Sequence, residues 1–152
     1  MSKTVWAIVA VFVLGGAAFV WFASRPSPDA PAPSMTSTDT GAVARGEPIV
    51  QVSLPAELSS EAQIGKRAFE AKCVQCHGAN AAGQNGVAPP LVHKIYEPGH
   101  HADLAFLRAA QTGVRAHHWR FGDMPPVEGV TEAEVKYIIR YVRELQKENG
   151  IF

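Results

Sequence analysis

The sequence predicts an all-α domain over residues 59–152, joined by a flexible linker to one apolar N-terminal helix. Three observations lead there. Three segments carry apolar residues at helical spacing behind recognisable caps, and no run alternates for long enough to make a strand. Everything before residue 59 is either uniformly apolar or nearly free of large apolar side chains.

Residues 1–23 are expected to be a transmembrane anchor. Val5 to Ala23, VWAIVAVFVLGGAAFVWFA, contains no charged side chain. At about 1.5 Å per residue this helix reaches roughly 28 Å, close to the thickness of a bilayer's hydrocarbon core. Trp6 and Trp21 lie near its ends, where amphipathic rings prefer the interface, and Lys3 and Arg25 bracket it. The competing reading is a signal peptide cut after Ala18, which would put Gly16 and Ala18 at the small-residue positions. The apolar run continues through FVWFA beyond that point, which favours an uncleaved span.

Residues 24–58 turn to Pro, Ser, Thr and Ala (RPSPDAPAPSMTSTDTGAVARGEP and onward), with too little apolar surface to offset the entropy of ordering. They are expected to form an extended tether. The segment that follows, about 94 residues long, is small for an independent core, and a large apolar cofactor would supply much of what is missing.

The first helix of that domain is expected from Ser60 through EAQIGKRAFEAKC, with Ser60 and Gln63 as a capping box and Ile64, Ala68 and Ala71 as its apolar stripe. It delivers Cys73 at its end. A second helix is expected over Ala102–Thr112, stopped by Gly113, with Leu104, Leu107 and Ala110 inward. The third runs from Thr131 to about Asn149, capped by Thr131 with Glu134 and buried along Val135, Ile138, Ile139, Val142 and Leu145. Between the helices lie GANAAGQNGVAPP and HHWRFGDMPPVEGV, long irregular stretches that need something to organise them.

Composition narrows the function. With 14 basic and 14 acidic residues the formal net charge is zero, and only 9% of residues are aromatic, which argues against a nucleic-acid partner. The two cysteines stand three apart and are followed at once by histidine: Cys73-Val-Gln-Cys76-His77. C-x-x-C-H is the attachment signature of c-type haem, in which two thiols add to the porphyrin vinyl groups and the adjacent imidazole is held against iron. A thioredoxin-like thiol pair would need a βαβ context that the pattern lacks. A zinc site would need a second C-x-x-C or an H-x-x-x-H at the usual distance, and neither follows.

With these residues in view, positions 60–152 resemble a class I cytochrome c. Pro89 comes twelve residues after His77 and is followed by Leu91, resembling the family's proline whose carbonyl accepts a hydrogen bond from the proximal histidine. FGDMPP resembles the loop that brings a methionine sulfur, here Met124, to the other face of iron. Gly65, Phe69 and Tyr141 resemble the small and aromatic positions where the first and last helices cross. The resemblance implies a cytochrome c fold wrapped around one covalent haem c. Its cofactor-binding residues would be Cys73, Cys76, His77, Pro89, Leu91 and Met124, with His77 and Met124 on the iron. A His/Met pair fills both axial positions and leaves none for oxygen or substrate, the arrangement of an electron carrier rather than an enzyme.

Because c-type haem is attached outside the cytoplasm, the resemblance also implies a single-pass protein of the cytoplasmic membrane with its haem domain in the periplasm. Its expected partners are a quinol-oxidising complex or dehydrogenase as donor and an oxidase or other haem or copper protein as acceptor. Alternatives are a haem subunit fixed in a larger membrane oxidoreductase, and a sensor or peroxidase with an open iron site. His93, His100, His101, His117 and His118 exceed what the family pattern requires. A polar set bonded to propionates or loop carbonyls is the plainer expectation. A second metal site, with copper among the candidates, and axial ligation in place of Met124 are the others. Trp119 is expected to pack over the haem or donate to a propionate, and Arg108, Arg115 and Arg120 to face the propionates or a docking patch.

Overall fold

The pairing of the first and last helices of the domain organises the rest of the chain around it. In the computed structural model, Val5 and residues 40–152 are described. The anchor expected over 1–23, apart from Val5, and residues 24–39 of the tether lie outside the described residues. Among the described residues no helix is long and apolar enough to cross a membrane. Within residues 40–152 the α-helices are, in order, α1 (Ser60–Lys72), α2 (Val74–His77), α3 (Asp103–Thr112) and α4 (Glu132–Glu148), with short 3-10 turns at Ala79–Ala81 and Lys94–Tyr96. Extended pairing among the described residues is limited to two isolated bridges, Gln84 with Ala88 and Val114 with Met124.

Helix α1 starts at the expected residue, but its cap is Ser59, whose side chain accepts from the Ala62 N–H. Gln63 therefore does not close a box with Ser60. Its amide donates to the Leu58 carbonyl instead. The buried face also differs from the expected stripe: Ala62, Gly65 and Phe69 are inside, while Ile64 is 40% exposed and Ala71 faces outward. The reason is Gly65. A hydrogen in place of a side chain lets the α4 backbone approach along that line, so the face chosen is the one with least bulk. A count of apolar residues gives glycine no weight.

Phe69 and Tyr141 meet just beyond the crossing, with ring centroids 5.7 Å apart and planes tilted by 58°. Ala62, Val92, Ile138, Val142 and Leu145 complete the core around them. All five apolar positions expected to be buried on the last helix are buried, and its capping box is formed in both directions between Thr131 and Glu134. Helix α3 begins one residue later than expected, after Ala102, which offers no side-chain cap, and Gly113 ends it at φ +75°. None of its residues is fully buried, and Leu104, expected inside, is 53% exposed. Its principal helical neighbour is α4, and loop residues Tyr96 and Val127 also touch it.

The part of the expected tether that the structure describes lies on the domain. Glu47 and Asn85 pair through backbone bonds between Gly46 N–H and the Asn85 carbonyl and between Asn85 N–H and the Glu47 carbonyl, and Val50 donates to the Ala82 carbonyl. Asn149 clamps Ser53 with both ends of its amide, at 2.9 Å each. Partnered backbone, invisible in a Pro/Ser-rich composition, holds these residues in place.

A polar pair inside α4 fastens the Leu91–His101 loop. The fully buried Gln146 donates its amide to the Leu91 carbonyl at 2.8 Å and the Tyr96 carbonyl at 3.0 Å. Arg143 reaches the Tyr96 and His101 carbonyls, the Gln146 side-chain oxygen and the Asp103 carboxylate, and lies over the Phe106 ring at 4.8 Å. Gln146→Leu should lower the unfolding free energy by about 1–3 kcal/mol, because two buried carbonyls lose a donor. Denaturant unfolding measures it, and a change below about 0.5 kcal/mol would show that water replaces the amide.

Candidate functional site

The C-x-x-C-H residues sit where α1 ends and the chain turns. Cys73 is the C-cap of α1, its N–H donating to the Phe69 carbonyl, and Cys76 and His77 complete the single turn of α2. Both thiols are free, Cys73 half-buried and Cys76 exposed. The Cys73 thiol is pushed up to about 11, chiefly by burial and then by Cys76. A redox-active thiol is favoured by the opposite, a lowered pKa.

His77 is buried, at 8% exposure, and its Nδ1 lies 2.9 Å from the Pro89 carbonyl oxygen. A carbonyl can only accept, so Nδ1 carries the proton and Nε2 keeps its lone pair. Burial also holds this imidazole below its ordinary range, with the Pro89 bond pulling the other way. The loop that brings Pro89 back is tightly folded. Gly83 N–H donates to the His77 carbonyl at 2.7 Å, Leu91 N–H donates to the Ala81 carbonyl at 2.9 Å, and the Gln84 amide donates to the carbonyls of Val74 and Gln75. Asn80 and Ala81 both adopt positive φ, and Asn80 accepts a bond from the Tyr141 hydroxyl. Gly83, at φ +74°, passes so close to Pro90 that a Cβ would lie 2.5 Å from its nitrogen. Leu91 packs, half-buried, against the core.

Met124 comes from the opposite side of the sequence. It pairs with Val114 through two reciprocal backbone bonds of 2.9 Å, and its carbonyl lies over Gly113, where a Cβ would be 2.5 Å away. The loop so closed spans 114–124 and is braced by the Asp123 carboxylate accepting from Ala116 N–H. Trp119, within it, is buried and stacked on Phe121 at 5.6 Å with His93 edge-on at 5.3 Å. Its indole Nε1 is buried and reaches no acceptor at hydrogen-bond geometry, although the Tyr96 phenol, pushed up to about 12 by burial, is held back slightly by it.

Of the remaining histidines, His93 accepts from Ile95 N–H, and the other four cluster. His101 Nδ1 donates to the Ile95 carbonyl at 2.7 Å and His117 Nδ1 to the Arg115 carbonyl at 2.8 Å, as the plainer expectation of loop-carbonyl bonding foresaw. Burial first, and then neighbouring positive charge, holds His101 and His118 below the usual imidazole range. Among the described residues, the group of close ligand atoms is made of His100, His101 and His118 and includes neither Cys73 nor Cys76. Arg143 and Gln146, which shape the Leu91–His101 loop, were missed in the sequence. The signal for Gln146 was its place directly after Leu145 and four residues after Val142, on the apolar face of α4.

The cytochrome c family profile matches residues 62–146. The chain belongs to the cytochrome c family. Similarity also extends to the Cbb3-type cytochrome c oxidase subunit CcoP of Rubrivivax gelatinosus, at 37% identity over 100 residues that cover 62% of this chain and 30% of that protein. This chain thus matches less than a third of the relative's length. Membership makes this a helical c-type cytochrome domain with covalently bound haem c and a role in haem electron transfer. The residues of the cytochrome fit that group: two free thiols one turn apart, an imidazole whose Nδ1 is already committed to a carbonyl, and a buried indole nitrogen without a hydrogen-bond partner.

Proposed function

We propose that this cytochrome is a membrane-tethered, monohaem carrier that passes single electrons between redox proteins on the periplasmic side of the cytoplasmic membrane. One observation carries the assignment of its site: the His77–Pro89 bond, which presents Nε2 as the nitrogen for iron. Cys73 and Cys76 would hold the haem through thioethers, His77 and Met124 would take the two axial positions, and Pro89 and Leu91 would form the wall on the histidine side. When bound, the haem supplies an iron that gains and loses one electron.

The chain's own residues keep that change small in structural cost. The Pro89 carbonyl fixes the His77 tautomer and ring orientation, so the imidazole need not turn between oxidation states. The reciprocal Val114–Met124 bonds hold the thioether's backbone in place, and the Gly113 contact permits that approach. Trp119, whose buried indole N–H has no hydrogen-bond partner, would be able to donate to an acidic group of the cofactor. The apolar span at Val5–Ala23 supports a single-pass anchor, and the need to attach haem outside the cytoplasm supports the periplasmic side.

The test of this reading is the optical spectrum of the purified, matured protein in both redox states. One haem per chain is expected, with a methionine-to-ferric-iron charge-transfer band that disappears in Met124→Ala while the reduction potential falls by on the order of 100 mV. A parent protein without the band would move the ligand assignment to the histidine pairs, and a band that survives the substitution would move it to another methionine.

The similarity to CcoP, an oxidase subunit by name, favours a second reading in which the domain is fixed within a larger oxidoreductase. Solubilisation in mild detergent separates the two. A carrier comes away alone, whereas a subunit copurifies with an oxidase.

A further inference from the structure

Two histidine pairs far apart in sequence converge on one spot. His100 and His101 occupy the turn ahead of α3, and His117 and His118 lie in the 114–124 loop. One ring nitrogen from each of His100, His101 and His118 lies within 4.8 Å of the others. The two Nε2 atoms of His100 and His118 are 3.4 Å apart. Two metal–imidazole bonds of roughly 2.0–2.1 Å at a tetrahedral angle place their nitrogens about 3.3 Å apart, so this pair already has the span of one edge of a coordination shell.

The third member is oriented as a ligand is. The His101 Nδ1–H donates to the Ile95 carbonyl at 2.7 Å, which fixes its tautomer and leaves the Nε2 lone pair available. Arg143, bonded to the His101 carbonyl, fastens the backbone at that point. His117 stands beside the trio, its ring centroid 4.3 Å from that of His118, without belonging to the group of close nitrogens. An imidazole-only donor set excludes hard cations such as Ca²⁺ and Mg²⁺, which require oxygen, and suits borderline divalent ions.

We infer that His100, His101 and His118 form a three-imidazole site for a divalent transition-metal ion of the Zn²⁺ or Cu²⁺ class. The site links the turn ahead of α3 to the loop that ends at Met124, so an ion there would cross-link two segments whose histidine rings already touch. The inference does not depend on the ligands of the haem iron.

The test uses the full chain with its haem attached and oxidised, and without a polyhistidine tag. Zn²⁺ titrated into it calorimetrically near neutral pH should bind one to one with a Kd of about 1 μM or tighter. His100→Ala and His118→Ala should each weaken binding by at least about tenfold, while His117→Ala should change it by less than about threefold. An unchanged haem spectrum in each variant shows that the fold is retained. Cu²⁺ in place of Zn²⁺ should show coupling to three imidazole nitrogens by electron paramagnetic resonance. The inference is overturned by no uptake at about 100 μM Zn²⁺, by either His100→Ala or His118→Ala binding as tightly as the parent, or by a His117→Ala loss as large as theirs.

Discussion

Replacing Cys73 and Cys76 together with serine is expected to abolish covalent haem, leaving a polypeptide whose mass is that of the bare chain after passage through the maturation machinery. Serine is close in size to cysteine but offers no sulfur to form the thioethers, so the change is chemical before it is steric. Cys76 is exposed and should tolerate the swap without a packing penalty. Cys73 is half-buried, and an unpartnered hydroxyl there costs about 1–3 kcal/mol. The single variant Cys76→Ser separates the two effects, since it removes one link while leaving the buried position intact. Intact-mass spectrometry under denaturing conditions reads the result directly. Haem remaining bonded to the double variant would show that the attachment lies elsewhere in the chain.

Gly65→Ala should be the most destabilising single methyl that can be added to the helix crossing. A Cβ at this position would lie 1.9 Å from the Tyr137 carbonyl oxygen and 2.4 Å from its carbon. Both are backbone atoms of α4, so no side chain can swing away, and the helices must part by an ångström or more. Parting them loosens the Phe69–Tyr141 contact and shifts Gln146, which holds the loop following Pro89. Alanine favours a helix over glycine by about 1 kcal/mol, which offsets part of the loss. The net expectation is destabilisation by about 2–4 kcal/mol, or a fall of roughly 10–20 °C in Tm for a domain of this size. Thermal unfolding of the haem-loaded protein checks it. A Tm equal to the parent's would mean that the close approach is not required.

Much of the site was legible in the sequence because its chemistry is local. Two thiols and an imidazole within five residues need only one turn of helix to come together, so Cys73, Cys76 and His77 announce themselves whatever the rest of the chain does. Pro89 was reachable through resemblance, and its carbonyl does meet His77. The last helix was read nearly to the residue, since a strong apolar period between a capping box and a glycine leaves few alternatives. The first helix was placed well, but its buried face was misjudged because a close approach at Gly65 depends on its partner helix.

The sequence by itself determined the helical class, the position of the three main helices and the C-x-x-C-H motif, all of which depend on neighbours within a few residues. Only the tertiary structure decided what meets across long separations. It laid residues 43–53 on the domain, bound Gln146 and Arg143 to the loop before α3, and gathered His100, His101 and His118 from two segments. These contacts arise from backbone groups that must be paired wherever the fold buries them, and from side chains brought together by loops, and neither leaves a periodic trace in the order of residues.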